Sequence, residues 1–110
     1  MDILIQADGV TLTDAVRDAI DEKMGHVEQY AHRAVRARVR VRKISAHASP
    51  RQYAVRVLVE IPGADLSAEE SSGDIIAALD LVAGKIERRL RKRKTDRLAK
   101  RERSGRRKPD

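Results

Sequence analysis

Lys85, Arg88, Arg89 and Lys92 stand three or four residues apart within an amphipathic pattern, so on a helix they share one stripe. Cations at that spacing can follow the phosphates of a nucleic-acid groove and release counterions on contact, which gives affinity without any reading of bases. They open a segment, Gly84 to Asp110, that holds fourteen of the twenty-four Lys and Arg and only four of the seventeen acids, a net of +10. The preceding eighty-three residues hold ten cations and thirteen acids, a net of −3. Charge is thus polarised along the chain. A helix C-terminus favours cations by about 0.3 to 1 kcal/mol, but the dipole alone does not call for fourteen of them. Their mutual repulsion needs an offset, and a polyanion supplies one.

No other constellation carries chemistry. His26, His32 and His47 are too scattered for a metal site, and no His-x-x-x-His with a third carboxylate occurs. Asp18, Asp21 and Glu22 read as a solvated helix face and Glu69-Glu70 as a loop, with no second catalytic group beside either. Glycine-rich phosphate loops are absent, and the lack of Cys removes both disulfides and a thiolate nucleophile. The expectation is a protein that is not an enzyme, with no cofactor, no metal and no small-molecule substrate. With no apolar run of the eighteen or so residues needed to cross a bilayer and no basic-then-apolar leader, a cytoplasmic location without a membrane partner is expected. Phe and Trp are missing and the two tyrosines are Tyr30 and Tyr53, too few for a sheet that reads single strands by stacking. Recognition is therefore expected to run through phosphate, sugar and the shape of folded RNA.

The elements that must position these cations can be read from periodicity. Asp2 to Ala7 is a short aliphatic strand stopped by Asp8-Gly9. Thr11-Leu12-Thr13-Asp14 offers a capping hydroxyl with an acid three residues on. A helix from about Thr13 to Tyr30 follows, with Leu12, Val16, Ala19, Ile20, Val27 and Tyr30 at helical spacing. Gly25 weakens that helix by about 1 kcal/mol against Ala without ending it. From Ala34 to Lys43, Val35, Ala37, Val39 and Val41 alternate with Arg36, Arg38, Arg40 and Arg42, a second strand with an arginine comb on one face. Gln52 to Ile61 is a third strand, Pro62-Gly63 reverses the chain, and Ala64 to Glu69 gives a weaker fourth. Ser71-Ser72-Gly73-Asp74 caps a second helix through Ile75, Leu79, Val82, Ala83, Ile86 and Leu90. Beyond Leu90 the apolar stripe fades, and Arg91, Lys92, Arg93 and Lys94 crowd every side.

These elements predict a single α+β domain: a two-layer β-α-β-β-β-α unit, a four-stranded mixed sheet with two helices on one face. The domain is expected to span residues 1–100, with 101–110 as a basic disordered tail too poor in apolar surface to offset ordering entropy. The comb lies on the uncovered sheet face. It serves either to suppress edge pairing, relieved by neighbouring acids such as Glu60, or to meet a polyanion.

Three pieces in this order carry a family likeness: V-T-L-T-D-A-V-R-D-A-I-D-E-K at the first helix, V-E-Q-Y closing it, and G-D-I-I-A-A-L-D-L-V-A-G-K-I-E-R-R-L-R-K in the second. Over about Asp2 to Lys94 the chain resembles the ribosome hibernation-promoting factors, also called ribosome-associated inhibitor A or sigma-54 modulation proteins, whose fold is β-α-β-β-β-α. The resemblance implies a protein that sits in the decoding channel of the small ribosomal subunit, over the messenger and transfer RNA sites, and silences translation during stasis. The family's basic positions fall on Lys23, Lys85, Arg88 and Lys92, with Arg89, Arg91, Arg93 and Lys94 as further cations nearby. His26 stands where related chains often carry lysine. Long family members continue into a second domain that pairs ribosomes, whereas the sequence here stops at Asp110. The expected partner is the small subunit and its rRNA, bound by a protein that is monomeric when free. A general double-stranded RNA-binding module or RNA chaperone is the alternative, since its β-β-β-α core has a similar outline.

Overall fold

A computed structural model describes the backbone of residues 1–106 and the side chains of residues 1–96. Its elements are β1 (Asp2–Asp8), α1 (Asp14–Tyr30), β2 (Arg36–Lys43), β3 (Tyr53–Glu60), β4 (Leu66–Ser72) and α2 (Ile75–Arg106). The sheet order is β1-β2-β3-β4. β1 runs parallel to β2 through the α1 crossover, and the two hairpins make β3 and β4 antiparallel to their neighbours. This is the α+β architecture that the periodicity predicts.

Alternation in the strands decides which face is covered. Ala37, Val39 and Val41 of β2 and Val55, Val57 and Val59 of β3 are buried and join Ala68 of β4. Against them pack Val16, Ile20, Met24 and Val27 of α1 and Ala78, Leu79, Val82, Ala83, Ile86 and Leu90 of α2. Both helices therefore lie on one face, and the core is aliphatic apart from Met24. Without large rings, many close contacts between small side chains supply the stabilisation, at roughly 25 cal/mol per Å² of apolar surface removed from water.

Several boundaries differ from the sequence expectation for local reasons. The cap of α1 is Thr13, whose hydroxyl accepts the Val16 N–H at 3.3 Å, not Thr11. At the start of α2, Asp74 closes the helix by accepting the Ala77 N–H at 3.0 Å, and the Ser72 hydroxyl accepts the Asp74 N–H at 3.5 Å. Ser71 and Ser72, read as part of that cap, belong to β4, where they pair with Ala54 and Tyr53. The Pro62-Gly63 turn extends to Asp65, which accepts the Ile61 N–H at 3.1 Å, so β4 begins at Leu66 and not at Ala64. Gly63 has φ +99°, a conformation that a side chain would strain. Glu69 and Glu70 thus lie in a strand, not a loop, and alternation sends them to opposite faces. α2 also reaches Arg106, six residues into the segment that composition assigns to a tail. Arg101, Glu102 and Arg103 there are good helix formers, and cations suit a helix C-terminus. Residues 107–110 of that expected tail lie outside the described ones.

Candidate nucleic-acid interface

The cations of α2 divide into two anchored flanks and an outer crest. On the flank towards α1, Lys23 Nζ pairs with Asp80 Oδ1 at 3.1 Å. Three turns further along α2, the Arg91 guanidinium donates to the Tyr30 hydroxyl at 2.6 Å and lies over the Tyr30 ring, 4.7 Å from its centroid. Lys23, His26 and Tyr30 are three and four residues apart, so they line the same side of α1, and His26 is exposed between the two bridges. The carboxylate of Asp80 raises the Lys23 pKa above the ordinary lysine value, and the Tyr30 hydroxyl raises that of Arg91. Both groups stay cationic throughout the neutral range.

On the flank towards the sheet, Lys85 Nζ meets Glu70 Oε1 at 2.7 Å. Glu70 is two residues beyond the buried Ala68 and so points into the helix layer, where Lys85 lowers its pKa. One turn on, Arg89 donates to the Ser67 carbonyl, and Arg93 donates to the Ala64 carbonyl at 2.7 Å. Ser67 lies on the edge strand β4, where a free acceptor would invite another strand, and Ala64 lies in the turn that leads into it. Each guanidinium has five N–H donors in all, so donors remain for a phosphate.

Arg88 and Lys92, one turn apart, form the crest, while Lys94 follows the buried Leu90 by one turn and so faces the end of α1. All three are exposed, and among the described residues none makes an ion pair or a hydrogen bond within the chain. From Ile75 to Asp96, α2 carries seven cations and three acids, a net of +4. The structure thus brings all nine sequence-predicted residues, Lys23, His26, Lys85, Arg88, Arg89, Arg91, Lys92, Arg93 and Lys94, onto α2 and the side of α1 beside it. Among the described residues no group of His, Cys, Asp or Glu could hold a metal ion. The ridge can bind an anion through phosphate oxygens, with bidentate geometry available to its arginines.

The arginine comb stands on the other side of the sheet and behaves differently. Arg36 and Arg38 both reach Glu60, at 3.6 and 3.0 Å, Arg40 Nε reaches Asp8 at 2.7 Å, and Arg42 reaches Glu69. Neighbouring strands supply an acid for every tooth. Register places Arg56 on this face too, with Asp2, so the face carries five arginines and four acids, a net of +1. Asp80, Glu70 and Tyr30 are the partners of these cations that sequence reasoning missed. Their contacts cross between elements far apart in the chain, and no local spacing signals them.

The sequence matches the family described as Sigma 54 modulation protein / S30EA ribosomal protein over residues 3–98. It is 37% identical over 93 residues to a ribosome hibernation promotion factor of Staphylococcus aureus (strain COL), an alignment that covers 83% of this chain and 47% of that protein. The chain therefore spans about half the length of that relative. A ribosomal subunit interface protein from Coxiella burnetii has a similar structure, with a TM-score of 0.75 and 23% identity over 86% of this chain and 99% of that one. The N-terminal domain of Thermus thermophilus Protein Y is also similar, with a TM-score of 0.69 and 22% identity over 84% of this chain and 98% of that one. At such identities the two structures speak for the fold.

Proposed function

The chain belongs to the Sigma 54 modulation protein / S30EA ribosomal protein family, and from that premise we propose that it is a ribosome hibernation factor that binds the small ribosomal subunit in the decoding channel and inhibits translation during stasis. The observation that carries this reading is the α2 crest: Arg88 and Lys92 are presented to solvent by a helix whose two flanks are already fastened to α1 and β4. Cations held on a rigid element meet the phosphates of an RNA wall with little additional loss of conformational freedom.

In this reading Arg88, Lys92 and Lys94 neutralise phosphates first. Lys85, Arg89, Arg91 and Arg93 contribute the donors that their internal contacts leave over, and Lys23 and His26 extend the contact onto α1. Inhibition follows from volume: a folded domain seated over the messenger and transfer RNA sites excludes both. No bond is made or broken, and no cofactor is required. The docking unit is residues 1–100, it acts as a monomer when free, and it works in the cytoplasm beside its target.

Co-sedimentation with purified small subunits tests the proposal. Binding is expected to weaken steeply with salt, to compete with initiator transfer RNA, and to fall at least about tenfold when Arg88 and Lys92 are both changed to Glu. Lys85 is better left in place, because Lys85→Glu would set a second carboxylate against Glu70 and confound binding with folding. Unchanged binding by the Arg88→Glu, Lys92→Glu chain would remove the assigned site. Ready displacement by an unrelated RNA duplex would point to a general RNA binder.

A further inference from the structure

A cleft of about 300 Å³ opens where the C-terminal end of α1, the β3–β4 turn and α2 meet. Ile61 and Leu90 contribute apolar surface to it, Tyr30 and Arg91 form one wall, and Arg33 and Lys94 are among the cations lining it. No carboxylate lines the cleft. Among the described residues, Arg33 and Lys94 make no ion pair. An apolar recess with a cationic, acid-free rim matches a ligand that is flat and apolar in one part and anionic in the next. Its volume lies at the lower limit for ligand clefts, which suits a single ring system.

We propose that this cleft receives one unstacked nucleotide of a structured RNA, its base lying against the Arg91–Tyr30 pair and its phosphate between Arg33 and Lys94. The inference rests on the RNA-binding reading above and adds to it a base contact at one position. Arg91 carries the argument. Its guanidinium is fixed on one side by the Tyr30 ring and tied by a hydrogen bond to the Tyr30 hydroxyl, so a planar cation is held ready at the wall of the cleft. Guanidinium planes, like aromatic rings, stack on splayed-out bases. A chain with two tyrosines cannot read a strand base after base, but a single stacking position needs only this one pair.

The test compares three RNA hairpins of one sequence: with an extruded adenosine in the stem, with an abasic nucleotide at that place, and fully paired. The native chain is expected to bind the first at least about fivefold more tightly than the other two, the lower end of what one stacked base contributes. Arg91→Lys keeps the charge but loses the plane. It is expected to reduce that preference, taken as a ratio to the fully paired hairpin bound by the same variant, to under about twofold. Equal binding of all three hairpins by the native chain, no binding of the extruded form, or a preference that survives Arg91→Lys would each overturn the proposal. Co-sedimentation of the same preparations with small subunits separates the two levels. Subunit binding without base preference removes the cleft assignment alone, whereas a native chain that ignores subunits at low salt removes the wider reading.

Discussion

Lys85, a cation that sequence assigns to RNA, is held 2.7 Å from Glu70 on the neighbouring strand. An incoming phosphate must compete with that carboxylate for the ammonium, so Glu70 restrains the ridge as well as fastening α2 to β4.

Glu70→Gln is therefore expected to tighten small-subunit binding by about twofold to fivefold at low salt, the scale of one screened charge. The gain should shrink as salt rises. Lys85 holds the Glu70 pKa below the usual carboxylate range. The stabilisation from this pair is therefore complete above the unfolded value of about 4.3 and is lost as pH falls through the lower folded value. Near neutrality acid has no effect on the pair, and only the substitution releases Lys85. Co-sedimentation at two salt concentrations, with urea unfolding to confirm an intact fold, measures both effects.

Lys23 and Asp80 make the corresponding link between the helices, and here the cation is the group that shifts, upwards. A lysine with a raised folded pKa contributes stability that is complete below its unfolded value of about 10.4 and is lost as pH rises through the folded value. Asp80→Asn should cost no more than about 1 kcal/mol at neutral pH, because the pair is solvent-screened. The difference from the native chain should vanish in strong alkali. Urea midpoints taken from neutral to alkaline pH check the direction, and an unchanged m value confirms that the unfolded state is the same.

Two glycines are expected to respond in opposite directions. A Cβ added at Gly25, inside α1, would meet nothing within 4 Å, so Gly25→Ala should stabilise by about 0.5 to 1 kcal/mol through lower chain entropy. A Cβ added at Gly73 would lie 3.0 Å from the Ser49 carbonyl oxygen. That oxygen belongs to the backbone of the β2–β3 connection and cannot swing aside, so Gly73→Ala should destabilise by about 1 to 3 kcal/mol. Thermal and urea unfolding of the two variants read the signs directly.

The fold was legible because period-two and helical patterns are unambiguous in this aliphatic chain. Val39 and Val41 alternate with arginines, and Leu79, Val82, Ile86 and Leu90 recur every three or four residues. Errors collected at polar boundaries, where several residues can serve one role. Thr11 and Thr13 both carry a hydroxyl, and only the packing of Leu12 and Val16 against the core selects which begins the helix. The cationic stripe was legible for the same periodic reason. Its restraints were not, since Glu70 meets Lys85 only because β4 runs on past Glu69 to Ser72 and keeps Glu70 on the face of Ala68. Tyr30 and Arg91 are 61 positions apart and meet only through tertiary packing.

The two basic surfaces should differ most clearly in salt dependence. On the sheet, Arg38 and Arg40 are engaged by Glu60 and Asp8, and the whole face carries a net of only +1, so it can neutralise few phosphates and release few of the counterions condensed on an RNA. On α2, Arg88 and Lys92 have no such partners among the described residues. Changing Arg88 and Lys92 together to Gln is expected to reduce the magnitude of the log affinity against log salt slope by about 1.4 to 1.8, since each phosphate contact contributes roughly 0.7 to 0.9. Changing Arg38 and Arg40 together to Gln removes the same formal charge and should leave the slope unaltered, with affinity within about twofold of the native chain. Net charge is identical in the two variants, so a difference between them can arise only from where the charge sits. Equal slopes would mean that the sheet face takes part in binding and that its acids give way to phosphate.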